Sequence, residues 1–235
     1  MNDKITGLVL RISDYKDSDE LLQVLSKEHS IISLIGKSSK KITSKQHFYE
    51  GCLYEFLIDY KDNKTIYSIH GSKLIKPYYD LNNTQLFSFK NIFFEMIIKS
   101  RELLEEDTFE NIVFVLDELN DNNKYLLGSL FVSYMNRLHG INPNVDECVV
   151  CKNKMVVSIS NTLGGFLCLD HKGIEEIRSV ETLKKFRLIN KAKFKDYKVI
   201  KENKYDFIDF KLVIEFFMLN SSINLKTYDF YKKVM

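Results

Sequence analysis

Between residues 4 and 75 the apolar side chains recur with a period of two, the signature of β-strands. Leu8, Leu10 and Ile12 alternate with Val9 and Arg11. Short apolar runs at residues 21–25 and 31–35 follow, separated by the polar turn Glu28-His29-Ser30. Cys52, Tyr54, Phe56, Ile58 and Tyr60 then alternate with Leu53, Glu55, Leu57 and Asp59, and Lys61-Asp62-Asn63-Lys64 reads as a hairpin turn into a strand carrying Ile66, Tyr67 and Ile69. Five strands within about seventy-five residues predict a small, partly closed barrel of the OB-fold kind; an SH3-like barrel fits the strand count nearly as well.

Lys76-Pro77 breaks this pattern, because proline disfavours continuing either element, and the period then becomes helical. Leu86, Phe89, Phe93, Met96 and Ile97 share one helix face. Asp107-Thr108-Phe109-Glu110 resembles a capping box ahead of Ile112, Val113, Leu116 and Leu119. Residues 125–138 are apolar on most sides, which predicts a buried helix stopped by Gly140 and Pro143. Residues 173–190 are expected to be helical, with Ile174, Ile177, Val180 and Leu183 on one face, and residues 207–219 form a last strongly apolar helix, with a short one at 225–234. The expected class is therefore α+β: an OB-like barrel domain at 1–77 and a helical domain at 78–235, the latter interrupted at about 146–172.

That interruption carries the sharpest chemical signal. Cys148-Val149-Val150-Cys151 is followed after sixteen residues by Cys168-Leu169-Asp170-His171. Two residues between the members of each pair let a tight turn aim both side chains at one point, and C-x2-C…C-x2-H offers four ligands to a tetrahedral zinc ion. The segment between, ending in Gly164-Gly165-Phe166, reads as a hairpin that brings Cys148, Cys151, Cys168 and His171 together. One alternative is a Cys148–Cys151 disulfide or redox pair, but no secretory signal and no βαβ pattern accompany it. Another is catalytic zinc, but four protein ligands leave no coordination position open. The expectation is one structural zinc ion.

Of 235 residues, 45% are hydrophobic, which excludes a disordered chain. No apolar run reaches the length of a membrane span and no signal peptide is visible, so a cytoplasmic protein is expected. The net charge of +2 conceals segregation. Residues 81–147 hold five Lys/Arg against eleven Asp/Glu, whereas residues 172–201 hold ten against four. A concentrated basic segment in a near-neutral chain fits a localised polyanion contact, or a solvated helix face. A second basic stretch, residues 36–45, has Lys37, Lys40, Lys41 and Lys45 with no acid and, apart from Ile42, no apolar residue, so it cannot pack as core. Arg11, on the first strand, faces either phosphate or solvent. Neither a phosphate-binding glycine loop, nor G-x-G-x-x-G, nor H-E-x-x-H, nor a G-x-S-x-G elbow occurs, which shifts the reading away from an enzyme.

The order of these features resembles the RecO family of bacterial recombination mediators over nearly the whole chain. Ile5-Thr6-Gly7-Leu8-Val9-Leu10-Arg11, with Tyr15 and Ser18-Asp19, is similar to that family's first strand and turn. Residues 31–37 and the lysine loop match its A-K-G-x-R region loosely. The cysteine pairs with Gly164-Gly165-Phe166 match the zinc element of its zinc-bearing members. His171 stands where a fourth cysteine is usual, and His serves equally well as a ligand. The basic loop is lysine-only, which keeps phosphate attraction but weakens bidentate contacts. The resemblance implies a non-enzymatic DNA repair protein, cytoplasmic and nucleoid-associated. It would bind single- and double-stranded DNA, anneal complementary strands, engage the single-strand-binding protein SSB and, with RecR, help load RecA. The candidate DNA contacts are Arg11, Lys37, Lys40, Lys41, Lys45, Lys184, Lys185, Arg187 and Lys191, with strand-four aromatics as base-stacking surfaces. The alternative functions are a zinc-containing protein–protein scaffold with incidental DNA contact and a nucleic-acid-modifying enzyme with an appended zinc knuckle.

Overall fold

The structure, a computed structural model, describes residues 3–44, 46–61, 64–79 and 83–235. The chain forms two compact units, one from residues 1–117 and 226–235 and the other from residues 118–225. Strand gives way to helix after Pro77, and the units divide at Asp117.

The first unit is built on five strands: β1 (Asp3–Tyr15), β2 (Asp19–Ser26), β3 (Ser30–Gly36), β4 (Cys52–Ile58) and β5 (Ile66–Pro77). They close a barrel in the order β1-β2-β3-β5-β4, with β4 returning to β1. Every pairing is antiparallel except β3 with β5, which run parallel where Ser33–Ile35 meets Ile66–Ser68. That one parallel closure distinguishes an OB-like barrel from a simple meander. The alternation in the sequence is explained by the barrel interior, where Ile5, Val9, Leu22, Val24, Leu34 and Phe56 are buried. Phe48, from the loop before β4, joins that core. Gly7 allows β1 and β2 to approach, since a Cβ there would meet Val24 Cγ1 at 2.3 Å. Asp62 and Asn63 of the expected turn lie outside the described residues; beside them Lys64 N–H donates to the Lys61 carbonyl at 3.0 Å.

Helix α1 (Thr84–Lys99) is capped by Asn83, whose side chain accepts the Leu86 N–H at 2.9 Å. Helix α2 (Thr108–Glu118) follows. The unit is completed from the far end of the chain, where a nine-residue helix, Lys226–Val234, packs on α1 with Tyr231 edge-on to Phe89 at 5.1 Å.

In the second unit α3 (Lys124–Leu138) is buried along the whole run from Leu126 to Asn136, as its apolar pattern predicts. Gly140 ends it in the left-handed region at φ 67°. Strands β6 (Val156–Ser160) and β7 (Gly165–Cys168) form the expected hairpin. Helices α4 (Val180–Lys191), α5 (Tyr197–Ile200) and α6 (Phe207–Ser221) follow, which makes the helix Lys226–Val234 α7.

The helix expected over residues 173–190 is shorter than its periodicity suggested. Residues 173–179 are irregular, and Ile174, Ile177 and Val180 are exposed instead of lining a buried face. Two local signals decide this. Gly173 adopts φ 55°, and Ser179 is an N-cap whose Oγ accepts the Thr182 N–H at 3.0 Å. The segment is tied to β6 instead: Arg178 N–H donates to the Val157 carbonyl at 2.9 Å, and Ser158 Oγ to the Glu176 carbonyl at 2.6 Å. Among the described residues no helix is long and apolar enough to cross a membrane.

Candidate functional site

The zinc-like motif folds as its spacing requires. Two tight turns frame the ligands: Lys152 N–H donates to the Cys148 carbonyl at 2.9 Å, and His171 N–H to the Cys168 carbonyl at 3.2 Å. The hairpin register sets Val156 opposite Cys168, and Val149 N–H donates to the Phe166 carbonyl at 2.9 Å, which brings the two turns together. Gly165 at φ 151° makes this approach possible, since a Cβ there would meet the Asn144 carbonyl oxygen at 2.2 Å.

The donor atoms of Cys148, Cys151, Cys168 and His171 all lie within 4.8 Å of one another. Cys151 Sγ is 3.7 Å from Cys168 Sγ, and His171 Nδ1 is 3.3 Å from Cys168 Sγ and 3.9 Å from Cys148 Sγ. A tetrahedron with metal–sulfur bonds of about 2.3 Å and metal–nitrogen bonds of about 2.0 Å has edges of about 3.5–3.8 Å. The residues therefore fit a four-coordinate metal ion. Burial raises the Cys148 thiol, but backbone N–H donors from Cys151, Cys168 and Val150 outweigh it and bring the pKa down to about 6. Despite a backbone donor at Asn153, which lowers it, the Cys151 thiol is raised by burial and by its neighbours Cys168 and Cys148. A dication would favour the thiolate form of every cysteine in the set. Cys148 and Cys168 are buried, whereas Cys151 is exposed.

The described part of the lysine loop, residues 36–44, is bonded to the barrel unit. It leaves β3 at Gly36 and lies against the β1–β2 turn. Ser38 N–H donates to Asp19 Oδ1 at 2.7 Å, Lys40 N–H to the Ser18 carbonyl at 3.2 Å, and Lys40 Nζ pairs with Asp14 Oδ1 at 2.9 Å. Lys37 and Lys41 are exposed, and Lys45 lies outside the described residues. Arg11 is exposed at the mouth of a cleft of about 380 Å³ that Glu50, Glu95, Lys99 and Lys226 also line.

The basic residues of α4 are mostly engaged within their own unit. Lys185 pairs with Glu181 at 3.2 Å and with buried Asp209 at 3.0 Å. Burial works against its charge, but these two carboxylates prevail and raise its pKa. Arg187 and Lys191 both grip Asp146, Arg187 at 2.6 Å, and the Lys191 ammonium with Arg187 holds the Asp146 carboxyl below its ordinary range. Lys184 is exposed, with no ion pair among the described residues.

The strand-four aromatics are not a stacking surface. Tyr54 is 3% exposed and Phe56 0%, and both point into the barrel. Their alternation with Glu55 and Leu57 marked the apolar face, which is the core. A ring stack does form elsewhere on the barrel: His29 lies flat on Tyr60 with centroids 3.9 Å apart, and Tyr60 on Tyr67 at 5.0 Å.

Comparison with known proteins agrees with this architecture. The family model described as "Recombination protein O N terminal" matches residues 1–78. The chain is 24% identical over 188 residues to the DNA repair protein RecO of Lactobacillus acidophilus, covering 74% of this chain and 72% of that protein. It is 23% identical over 173 residues to RecO of Halalkalibacterium halodurans (70% and 67%), and 24% over 225 residues to RecO of Dehalococcoides mccartyi (90% and 87%). These matches place the chain's likeness with the RecO family. The RecO N-terminal match ends one residue beyond β5, so it spans the whole barrel, Arg11 and the lysine loop. The metal centre and α4 lie outside that match and within the longer likeness to RecO of D. mccartyi, which takes in most of the chain. Sequence reasoning overlooked Asp14 and Asp19, which meet Lys40 and the Ser38 N–H of the lysine loop, and Asp146, Glu181 and Asp209, which pair with the cations of α4. The one signal for the first two was the density of Asp and Glu at residues 14–20.

Proposed function

We propose that this protein is a non-enzymatic DNA repair protein. It binds single- and double-stranded DNA through the barrel, anneals complementary strands, and acts with RecR and SSB to load RecA. Its place is the cytoplasm, at the nucleoid. The observation that carries the reading is the RecO N-terminal match lying on an OB-like barrel whose β3–β4 loop presents Lys37, Lys40 and Lys41 to solvent. Lysines neutralise phosphates and release counterions without reading bases, so binding is independent of sequence and steeply salt-dependent. Lys45 extends the same loop, and Arg11 extends the surface along β1. Lys184, Lys185, Arg187 and Lys191 form a second candidate contact, of which Lys184 is the most available. The metal is zinc, held by Cys148, Cys151, Cys168 and His171; with four protein ligands its role is structural.

The test is the Lys37→Ala/Lys40→Ala/Lys41→Ala variant, titrated with labelled single-stranded DNA at two salt concentrations and assayed for annealing without ATP. Affinity is expected to fall alike for all sequences, and the salt slope to flatten by about 0.7–0.9 for each lost contact. Unchanged affinity and slope in a folded variant would overturn the assignment of this loop.

A second reading, a protein–protein scaffold, draws on the exposed Val150, Met155 and Leu169 around the metal centre. Failure of the parent protein to bind DNA even at low salt would favour it.

A further inference from the structure

The lysine loop does not project freely from the barrel. Its backbone is fastened to the β1–β2 turn by Asp19 and by the Ser18 carbonyl, and its central lysine is paired with Asp14 at 2.9 Å. The β1–β2 turn and the strand ends beside it, residues 14–20, carry Asp14, Asp17, Asp19 and Glu20 against a single lysine, Lys16. The Asp14 side chain is 83% exposed and that of Lys40 33%, so the pair lies at the surface, where a polyanion can reach it. The loop thus already has an anion beside it in the free protein.

We propose that the β1–β2 turn is an autoinhibitory contact. Asp14 occupies Lys40 as a surrogate phosphate, and a nucleic-acid strand must displace it to gain that contact. Asp19, by accepting the Ser38 N–H, is the positioning residue that keeps the loop within reach of Asp14. The proposal rests on the reading of the lysine loop as a DNA contact.

Displacement has a thermodynamic signature of its own. When phosphate replaces the Asp14 carboxylate on Lys40, the carboxylate returns to water and attracts a cation. One counterion leaves the DNA while another is taken up by the protein, so Lys40 contributes little to the salt slope while Asp14 is present. Removing the Asp14 charge restores the full contribution. It also removes a competitor whose strength is that of an exposed ion pair.

The experiment compares four variants of the full chain with the parent, each titrated with a labelled oligothymidylate at two salt concentrations. Asp14→Asn is expected to bind up to about fivefold tighter, with a salt slope steeper by about 0.7. Asp17→Asn removes the same charge from the same turn, where no ion pair to the loop exists among the described residues, and is expected to leave the slope unchanged. Asp14→Asn combined with Lys40→Ala is expected to match Lys40→Ala alone. The proposal is overturned if Asp14→Asn leaves affinity and slope unchanged, if Asp17→Asn steepens the slope equally, or if Asp14→Asn still tightens binding in the Lys40→Ala background. Normal binding by the triple lysine variant would instead overturn the underlying assignment of the loop. Weakened binding by that variant beside an unaltered Asp14→Asn protein would sink only the autoinhibitory contact.

Discussion

At the residue scale, local chemistry was readable and pairing was not. The four metal ligands could be named because each pair sits within four residues, a distance that one turn closes. Cys151→Ser is expected to lower metal content below one ion per chain and to reduce stability by about 3 kcal/mol or more, since a structural metal couples directly to folding. Metal analysis alongside thermal unfolding checks both; equal melting of metal-loaded and metal-stripped parent protein would remove the structural role. The basic residues were equally visible, but their partners were not. Asp146 is 41 residues from Arg187, and Asp209 is 24 residues from Lys185. No periodicity reports a contact of that range. The strand-four aromatics show the opposite case. The sequence already contained the answer, because a face of Cys52, Tyr54, Phe56 and Ile58 is too apolar to be left to solvent and bases.

Element by element, strand and helix periods located the architecture, while element ends depended on caps. The barrel strands fall where alternation placed them, but α4 begins at Val180 because Ser179 caps it and the preceding residues bond to β6. A second cap ties the ends of the first unit together. Glu95, on α1, accepts the N–H groups of Lys226 and Thr227 and the Thr227 hydroxyl, and pairs with Lys99 at 2.9 Å. Burial works against this carboxylate, but the bonds from Lys99 and Thr227 prevail and lower its pKa. The unfolded chain therefore holds this proton more tightly than the folded one. The stabilisation is complete above the unfolded value of about 4.3 and is lost as pH falls through the lower folded value. Glu95→Gln is expected to cost about 1–3 kcal/mol at pH 7 and to flatten the acid limb of stability below about pH 4.3. Urea unfolding across pH 3–7 measures both; a parallel acid limb in parent and variant would rule out Glu95 as a contributor.

For the whole molecule, a net charge of +2 says little, because cations and acids meet in pairs at both basic segments. The order of the units along the chain has a consequence in time. Residues 118–225 are inserted between the two parts of the other unit, whose last helix is α7. A ribosome therefore delivers the metal-binding unit entire before it delivers the piece that finishes the barrel's unit. The barrel strands emerge before the metal-binding unit, and α7, which packs on α1, emerges after it. Removing residues 226–235 is expected to lower the unfolding midpoint of the first unit while leaving metal stoichiometry intact. Limited proteolysis during synthesis would find residues 118–225 protected earlier than α1. The nascent chain keeps α1 without its partner until α7 emerges, so a growing chain with a complete metal centre does not yet have a finished barrel unit.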